Sequence, residues 1–162
     1  MGQGNSELVE RISQGILAFP TTAFDPQFGL DVERTAGEME RMAGEKPAAL
    51  VVAGGAGEIF SLDAREHAIV VEAAVRQAGD VPVIAGVGGG IAAAIAMAEA
   101  AERLGADAIL LFPPYLTRAD QQGLIAYVSA ICARVGIGVI AYSRDNGVLS
   151  AETALSLAAR HG

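Results

Sequence analysis

Three segments of this sequence carry residue types whose spacing suits chemistry on a small anion. Gly54-Gly55-Ala56-Gly57-Glu58 is a glycine-rich turn between an apolar run and a helical pattern. Such a turn exposes backbone N–H groups that can hold a carboxylate or phosphate. Gly55 and Gly57 permit positive φ and close ligand approach. Glu58 is expected to fix the loop by accepting backbone hydrogen bonds. A plain flexible strand–helix connection would use the same glycines. Tyr142-Ser143-Arg144-Asp145-Asn146 crowds polar groups at the end of another apolar run. Tyr142 can relay a proton, and Arg144 can meet a carboxylate in a bidentate pair. Thr21 and Thr22 follow the first apolar run. Threonines in that place more often stabilise a turn than touch a substrate. Tyr115, after Pro113-Pro114, suits a site, a core or a subunit contact equally.

Other candidates fall away. Gly86-Val87-Gly88-Gly89-Gly90 tempts a dinucleotide reading, but Ile91 stands where G-x-G-x-x-G needs its third glycine. Asp107, the acid at a suitable distance, opens a strand rather than ending one. His67 and His161 are isolated in helical patterns, so no metal cluster is expected. Lys46 is the only lysine and sits in the loop before the second apolar run, on the face of an α/β fold remote from chemistry. Cys132 lies in a helical pattern and reads as a core residue.

These segments need elements to position them. Five apolar runs, Gly15–Phe19, Ala48–Ala53, Val81–Ala85, Ala106–Phe112 and Val135–Tyr142, lack alternation and are bounded by Gly or Pro. That is the mark of parallel strands buried on both faces. Helical patterns cover Asp31–Ala43 (with Val32, Met39 and Met42 on one stripe), Ala64–Ala78, Ile91–Leu104 and Gln121–Ala133, and a fifth begins at Ser150. Right-handed crossovers make this repeating βα order a parallel sheet. An open doubly wound sheet and part of a barrel both fit. With 162 residues against about 250 for a whole barrel, the pattern alone slightly favours the doubly wound form.

Composition bounds the function. Hydrophobic residues make up 52%, aromatics 5%, and Gly numbers 20, a mix suited to one buried α/β domain over residues 1–162. The net charge of −8 argues against a nucleic-acid partner. The apolar stretches are broken by Gly, Pro or charges, so no membrane span is expected. The N-terminus lacks the basic-then-apolar order of a signal peptide, and a cytoplasmic setting follows by default.

Taken in order, the strand ends resemble the dihydrodipicolinate synthase / N-acetylneuraminate lyase family. The likeness is carried by Phe19-Pro20-Thr21-Thr22-Ala23-Phe24, Gly54 through Leu62, Pro113-Pro114-Tyr115-Leu116-Thr117 and Tyr142 through Asn146. The Pro-Pro-Tyr-Leu and Tyr-Ser-Arg-Asp-Asn segments are similar to a branch that dehydrates and decarboxylates a sugar-derived 2-keto acid. The resemblance implies a (β/α)8 TIM barrel, of which these residues form the first five βα units, and assembly as a homo-oligomer, a tetramer in the full-length family. It implies a small sugar-acid or 2-keto-acid substrate, no cofactor, and a Schiff base on a strand-six lysine, expected about ten residues beyond Gly162. By the same likeness Gly55, Ala56 and Gly57 hold the substrate carboxylate and Tyr142 shuttles protons at the imine, while Thr22 and Arg144, on their own chemistry, are expected to add substrate contacts. Ala56 stands where the family usually has threonine, Ser143 replaces a commoner asparagine, and Leu116 replaces the second tyrosine of the synthase branch. Without that lysine, the 162 residues are expected to be inactive alone. Two other functions stay open: another Schiff-base lyase similar to dihydrodipicolinate synthase, and a non-catalytic half-barrel that binds a sugar acid or pairs with another chain.

Overall fold

The computed structural model describes residues 3–114 and 118–162. Five strands, β1 (Leu17–Ala18), β2 (Ala49–Val52), β3 (Val83–Val87), β4 (Ala108–Leu111) and β5 (Gly138–Ala141), form one sheet in the order β1-β2-β3-β4-β5. Every neighbouring pair is parallel. A doubly wound sheet reverses its strand order at a switch point. This sheet never does, so the slight preference drawn from length and pattern is corrected: these are successive staves of a barrel wall. Strand order depends on long-range pairing, which no local periodicity encodes.

The two faces of the staves bury different partners. Ala49, Val51, Ile84 and Ala108 turn to the inside, joined by Leu17, Leu110 and Ile140. Leu50, Val52, Val83, Ala85, Ile109 and Leu111 turn outward against the helices. Those helices are α2 (Val32–Gly44), α3 (Ala64–Gln77), α4 (Ile91–Leu104), α5 (Gln121–Cys132) and α6 (Ala151–His161). Local chemistry starts them. Asp31 caps α2, Asp63 forms a capping box with Glu66 on α3, and Asp120 and Ser150 cap α5 and α6. Gly105, at φ 94°, ends α4. On α2, Met39 is fully buried and Met42 packs beside it, but Val32 is exposed; Thr35 and Ala43 complete the buried stripe.

A helix not expected from the sequence, α1 (Gln3–Ser13), precedes β1. Leu8 and Ile12 pack on the inward cluster, and the Arg11 guanidinium donates to the Asp80 carbonyl at 3.0 Å just ahead of β3. Helix α1 therefore plugs the N-terminal ends of the staves. Asp107 belongs to the same end, accepting from the Val83 N–H at 2.8 Å. Among the described residues, no helix is long and apolar enough to cross a membrane.

Candidate active site

Parallel staves bring every strand C-terminus to one rim. The turn after β2 is held there by ties from both neighbouring strands. From the β1 side, the Thr22 hydroxyl donates to the Gly57 carbonyl at 2.7 Å, and the pair is buried. Thr22 reaches it because the Thr35 hydroxyl on α2 accepts the Ala23 N–H at 3.0 Å. From the β3 side, Gly86 lets the turn approach: a Cβ there would lie 2.0 Å from the Ala53 carbonyl oxygen. Gly57 is needed for space, since a Cβ would come within 2.9 Å of the Ala53 nitrogen.

Left-handed φ falls on the residues that flank the glycines. It is taken by Ala53 (46°) and Glu58 (62°), which flank the turn, and not by Gly55 or Gly57. The Glu58 carboxylate accepts from the Ser61 hydroxyl at 2.7 Å, a side-chain tie in place of the expected backbone one. Among the described residues, the N–H groups of Gly55, Ala56 and Gly57 donate to no protein acceptor. Gly55 and Ala56 face solvent while Gly57 is buried. The turn thus offers donors with no competing acceptor, the condition for holding an anion.

Across the rim, Tyr142 ends β5, with its N–H on the Leu111 carbonyl at 2.9 Å. Its ring meets Phe112 edge-on at 5.3 Å, and Phe112 meets Phe60 at 5.9 Å. The Arg144 guanidinium lies 5.6 Å from the Tyr142 ring centre and donates to Asp145. The Asp145 carboxylate, and then Tyr142, push the Arg144 pKa further above its ordinary value. Gly147 packs so closely on Pro113 that a Cβ would sit 2.2 Å from the Pro113 Cβ, which joins the β4 and β5 loops. The Ser143 hydroxyl closes the latter loop by accepting the Leu149 N–H at 2.9 Å.

A cavity of about 330 Å³ opens between the two sides, with Gly55 and Phe60 on one wall and Pro113, Pro114, Arg144 and Asn146 on the other. Gly55 and Arg144 share it; Thr22 lies behind the turn, and Tyr142 borders it through Phe112. The aromatic lining by Phe60 and Phe112 was not singled out from the sequence, where both look like ordinary core residues. Tyr115 lies outside the described residues, as do Leu116 and Thr117. A larger cavity, about 640 Å³, lies at the opposite end beside Lys46. Two of its cations are already engaged, Arg11 with the Asp80 carbonyl and Arg41 with Glu38. Lys46 is therefore at the far end of the staves from the glycine turn. His161 bonds the Ser129 hydroxyl at 2.9 Å, and burial raises the Cys132 thiol pKa. Among the described residues, no three metal-ligating side chains gather.

Known proteins resemble this chain in sequence and in fold. The chain is 47% identical over 147 residues to a probable 5-dehydro-4-deoxyglucarate dehydratase of Rhizobium rhizogenes, covering 91% of this chain and 49% of that protein. It is 48% identical over 156 residues to a probable 5-dehydro-4-deoxyglucarate dehydratase of an Arthrobacter species, covering 96% and 51%. The chain thus spans about half the length of these curated relatives. The dihydrodipicolinate synthase of Aquifex aeolicus superposes with a TM-score of 0.84 at 29% identity, over 90% of this chain and 51% of that one. A prophage protein of the dihydrodipicolinic acid synthase family from E. coli K12, solved in complex with pyruvate, gives 0.84 at 26% identity, over 91% and 51%. With residues 12–161 matching its family pattern and its staves superposing on solved members, the chain belongs to the dihydrodipicolinate synthetase family.

Proposed function

We propose that this chain is the carboxylate-holding half of a 5-dehydro-4-deoxyglucarate dehydratase, a decarboxylating carbon–oxygen lyase. The observation that carries the reading is the pairing, on one rim, of an unpartnered glycine turn with Arg144: Gly55 and Arg144 line one cavity, which Tyr142 borders through Phe112. The names of the relatives, of whose length this chain spans about half, support the substrate class.

In this reading the N–H groups of Gly55, Ala56 and Gly57 hold the carboxylate beside the substrate ketone. Thr22 keeps the turn in place through Gly57, since its proton is committed there. Arg144 lines the far wall and contacts the distal part of the substrate. A lysine amine condenses with the ketone, releasing water, and the iminium becomes an electron sink. A proton then leaves the adjacent carbon, and hydroxide departs from the next one. The bond to the far carboxylate breaks as carbon dioxide leaves, its electron pair passes into the conjugated iminium, a proton is taken up on carbon, and hydrolysis returns the amine and gives 2,5-dioxopentanoate. Tyr142 carries protons at the imine. Lys46 is at the wrong end of the staves for this role, so the amine comes from a segment outside these 162 residues. The protein works in the cytoplasm, as a homo-oligomer of the kind the family implies.

Borohydride reduction in the presence of pyruvate or the dehydratase substrate, followed by peptide mass spectrometry, tests this. The 162-residue chain is expected to give no adduct. The polypeptide continued through the downstream coding sequence is expected to trap on a later lysine and to lose turnover in Tyr142→Phe. An adduct on Lys46, or full turnover in Tyr142→Phe, overturns the proposal.

A further inference from the structure

His67, on α3, is one of the few polar side chains in the core, at 1% exposure. Its Nε2 lies 2.7 Å from the Gly86 carbonyl oxygen. A carbonyl only accepts, so Nε2 carries the hydrogen. Burial lowers the ring's pKa from 6.5, which keeps it neutral.

The register of the sheet gives this bond its meaning. Leu50 donates its N–H to the Pro82 carbonyl at 2.8 Å, and Leu50, Val51 and Val52 run beside Val83, Ile84 and Ala85. In a parallel ladder the donors advance by two on each strand. After Leu50 to Pro82 and Val52 to Ile84, the next rung would run from the Gly54 N–H to the Gly86 carbonyl. That rung is absent: the chain leaves the ladder at Ala53, whose φ is 46°, and among the described residues the Gly54 N–H has no acceptor. The Gly86 carbonyl is buried and would be left without a donor were His67 not there.

We propose that His67 is a positioning residue, its Nε2–H replacing the backbone donor of β2 at Gly86 so that Ala53–Gly57 can leave the sheet and form the anion-holding turn. The bare Gly86 Cα makes the second half of the device, because it admits the Ala53 carbonyl that the bend drives against β3. His67 sits behind the turn, so it acts on the substrate only through the shape of Ala53–Gly57. The functional consequence rests on the carboxylate reading above; the shape of the turn does not.

The test uses the 162-residue chain, with and without pyruvate. In the wild type, hydrogen exchange is expected to be slow at the Val52 N–H and fast at Gly54, and the coupling and carbon shifts of Ala53 should report left-handed φ. His67→Leu should lose the left-handed signature at Ala53. It should also weaken pyruvate binding, read from the amide shifts of Gly55 to Gly57, by about tenfold, the equivalent of one hydrogen bond. His67→Gln, whose amide nitrogen can donate from nearly the same place, should restore both. Unchanged Ala53 shifts and affinity in a folded His67→Leu overturn the proposal. So does a wild-type Gly54 N–H as protected as that of Val52, a measurement that needs no variant to fold. If Ala53 and Gly54 respond as stated but pyruvate moves no amide in the wild type, His67 keeps its role in the turn and the carboxylate reading falls.

Discussion

Gly86→Ala is the sharpest single probe of how the rim is built. An ideal Cβ at this position lies 2.0 Å from the Ala53 carbonyl oxygen, 2.7 Å from its carbon and 3.0 Å from the Gly54 Cα. All three are backbone atoms, so no side chain can rotate aside. A normal carbon–oxygen contact needs more than an ångström of additional room, and the fully buried Ala53 and Ala85 leave no slack around the site. Overpacking of this kind costs about 1–3 kcal/mol. Separating β2 from β3 also stretches the ladder beside Val52 and Ala85 and weakens the His67 bond, for roughly another 1 kcal/mol. The expected loss is about 3 kcal/mol, a large share of a domain's usual 5–15. With a urea slope of about 1–3 kcal/mol per molar, the unfolding midpoint should fall by roughly 1–3 M. Gly55→Ala is the internal control, because nothing lies within 4 Å of its added carbon. It should stay within about 0.5 kcal/mol of the wild type. A Gly86→Ala variant as stable as Gly55→Ala would refute the close approach of Ala53 to β3, and with it the account of the turn.

Two further outcomes follow from neighbouring ties. Thr22→Val keeps the side chain's shape but strips the buried Gly57 carbonyl of its donor, so it should destabilise by about 1–2 kcal/mol, with Thr22→Ser close to wild type; equal stability of the Val and Ser variants would show that the bond is idle. Tyr127 donates to the Gly89 carbonyl at 3.1 Å, and burial pushes its pKa from 10.0 up to about 12. Its neutral form is favoured in the folded state, so this contribution is intact below about pH 10 and drains away between there and about pH 12. Urea midpoints measured from pH 8 to 11 should therefore converge for wild type and Tyr127→Phe as pH rises; parallel curves would contradict the assignment.

Much of the wall was legible because burial on both faces leaves a plain signal. Runs such as Ala48–Ala53 and Ala106–Phe112 cover β2 and β4 with only their ends trimmed. Helix α1 escaped because, among the described residues, it buries Leu8 and only part of Ile12, too little to stand out as a stripe in a polar segment. At the rim, the gathering of the glycine turn, Thr22, Tyr142 and Arg144 could be foreseen, since parallel order alone sends strand C-termini to one end. The location of the strain could not. Glycine invites the assumption that it supplies the unusual dihedral, yet Gly57 is there for space while Ala53 and Glu58 carry left-handed φ. His67 looked inert for a similar reason. Its importance lies in the phase of the β2–β3 ladder, a relation between residues 19 positions apart that no spacing rule reports.

A left-handed alanine or glutamate costs roughly 1–2 kcal/mol against its ordinary conformation. Two such residues bracketing a four-residue turn would relax unless the surroundings fix them. Here the surroundings do so from three directions: Thr22 holds Gly57 from β1, the Gly86–His67 pair sits beneath Ala53 from β3, and Ser61 anchors Glu58 at the exit. Each tie uses an acceptor of the turn or of the strand beside it, and none uses the N–H groups of Gly55, Ala56 or Gly57. Acceptors are therefore consumed in holding the shape while the three donors are kept free. Ala56 offers no hydroxyl at the mouth of the turn, and its side chain takes part in none of the three ties. Anion binding at this rim should accordingly depend more on Thr22 and His67, which never touch the ligand, than on the side chain at position 56.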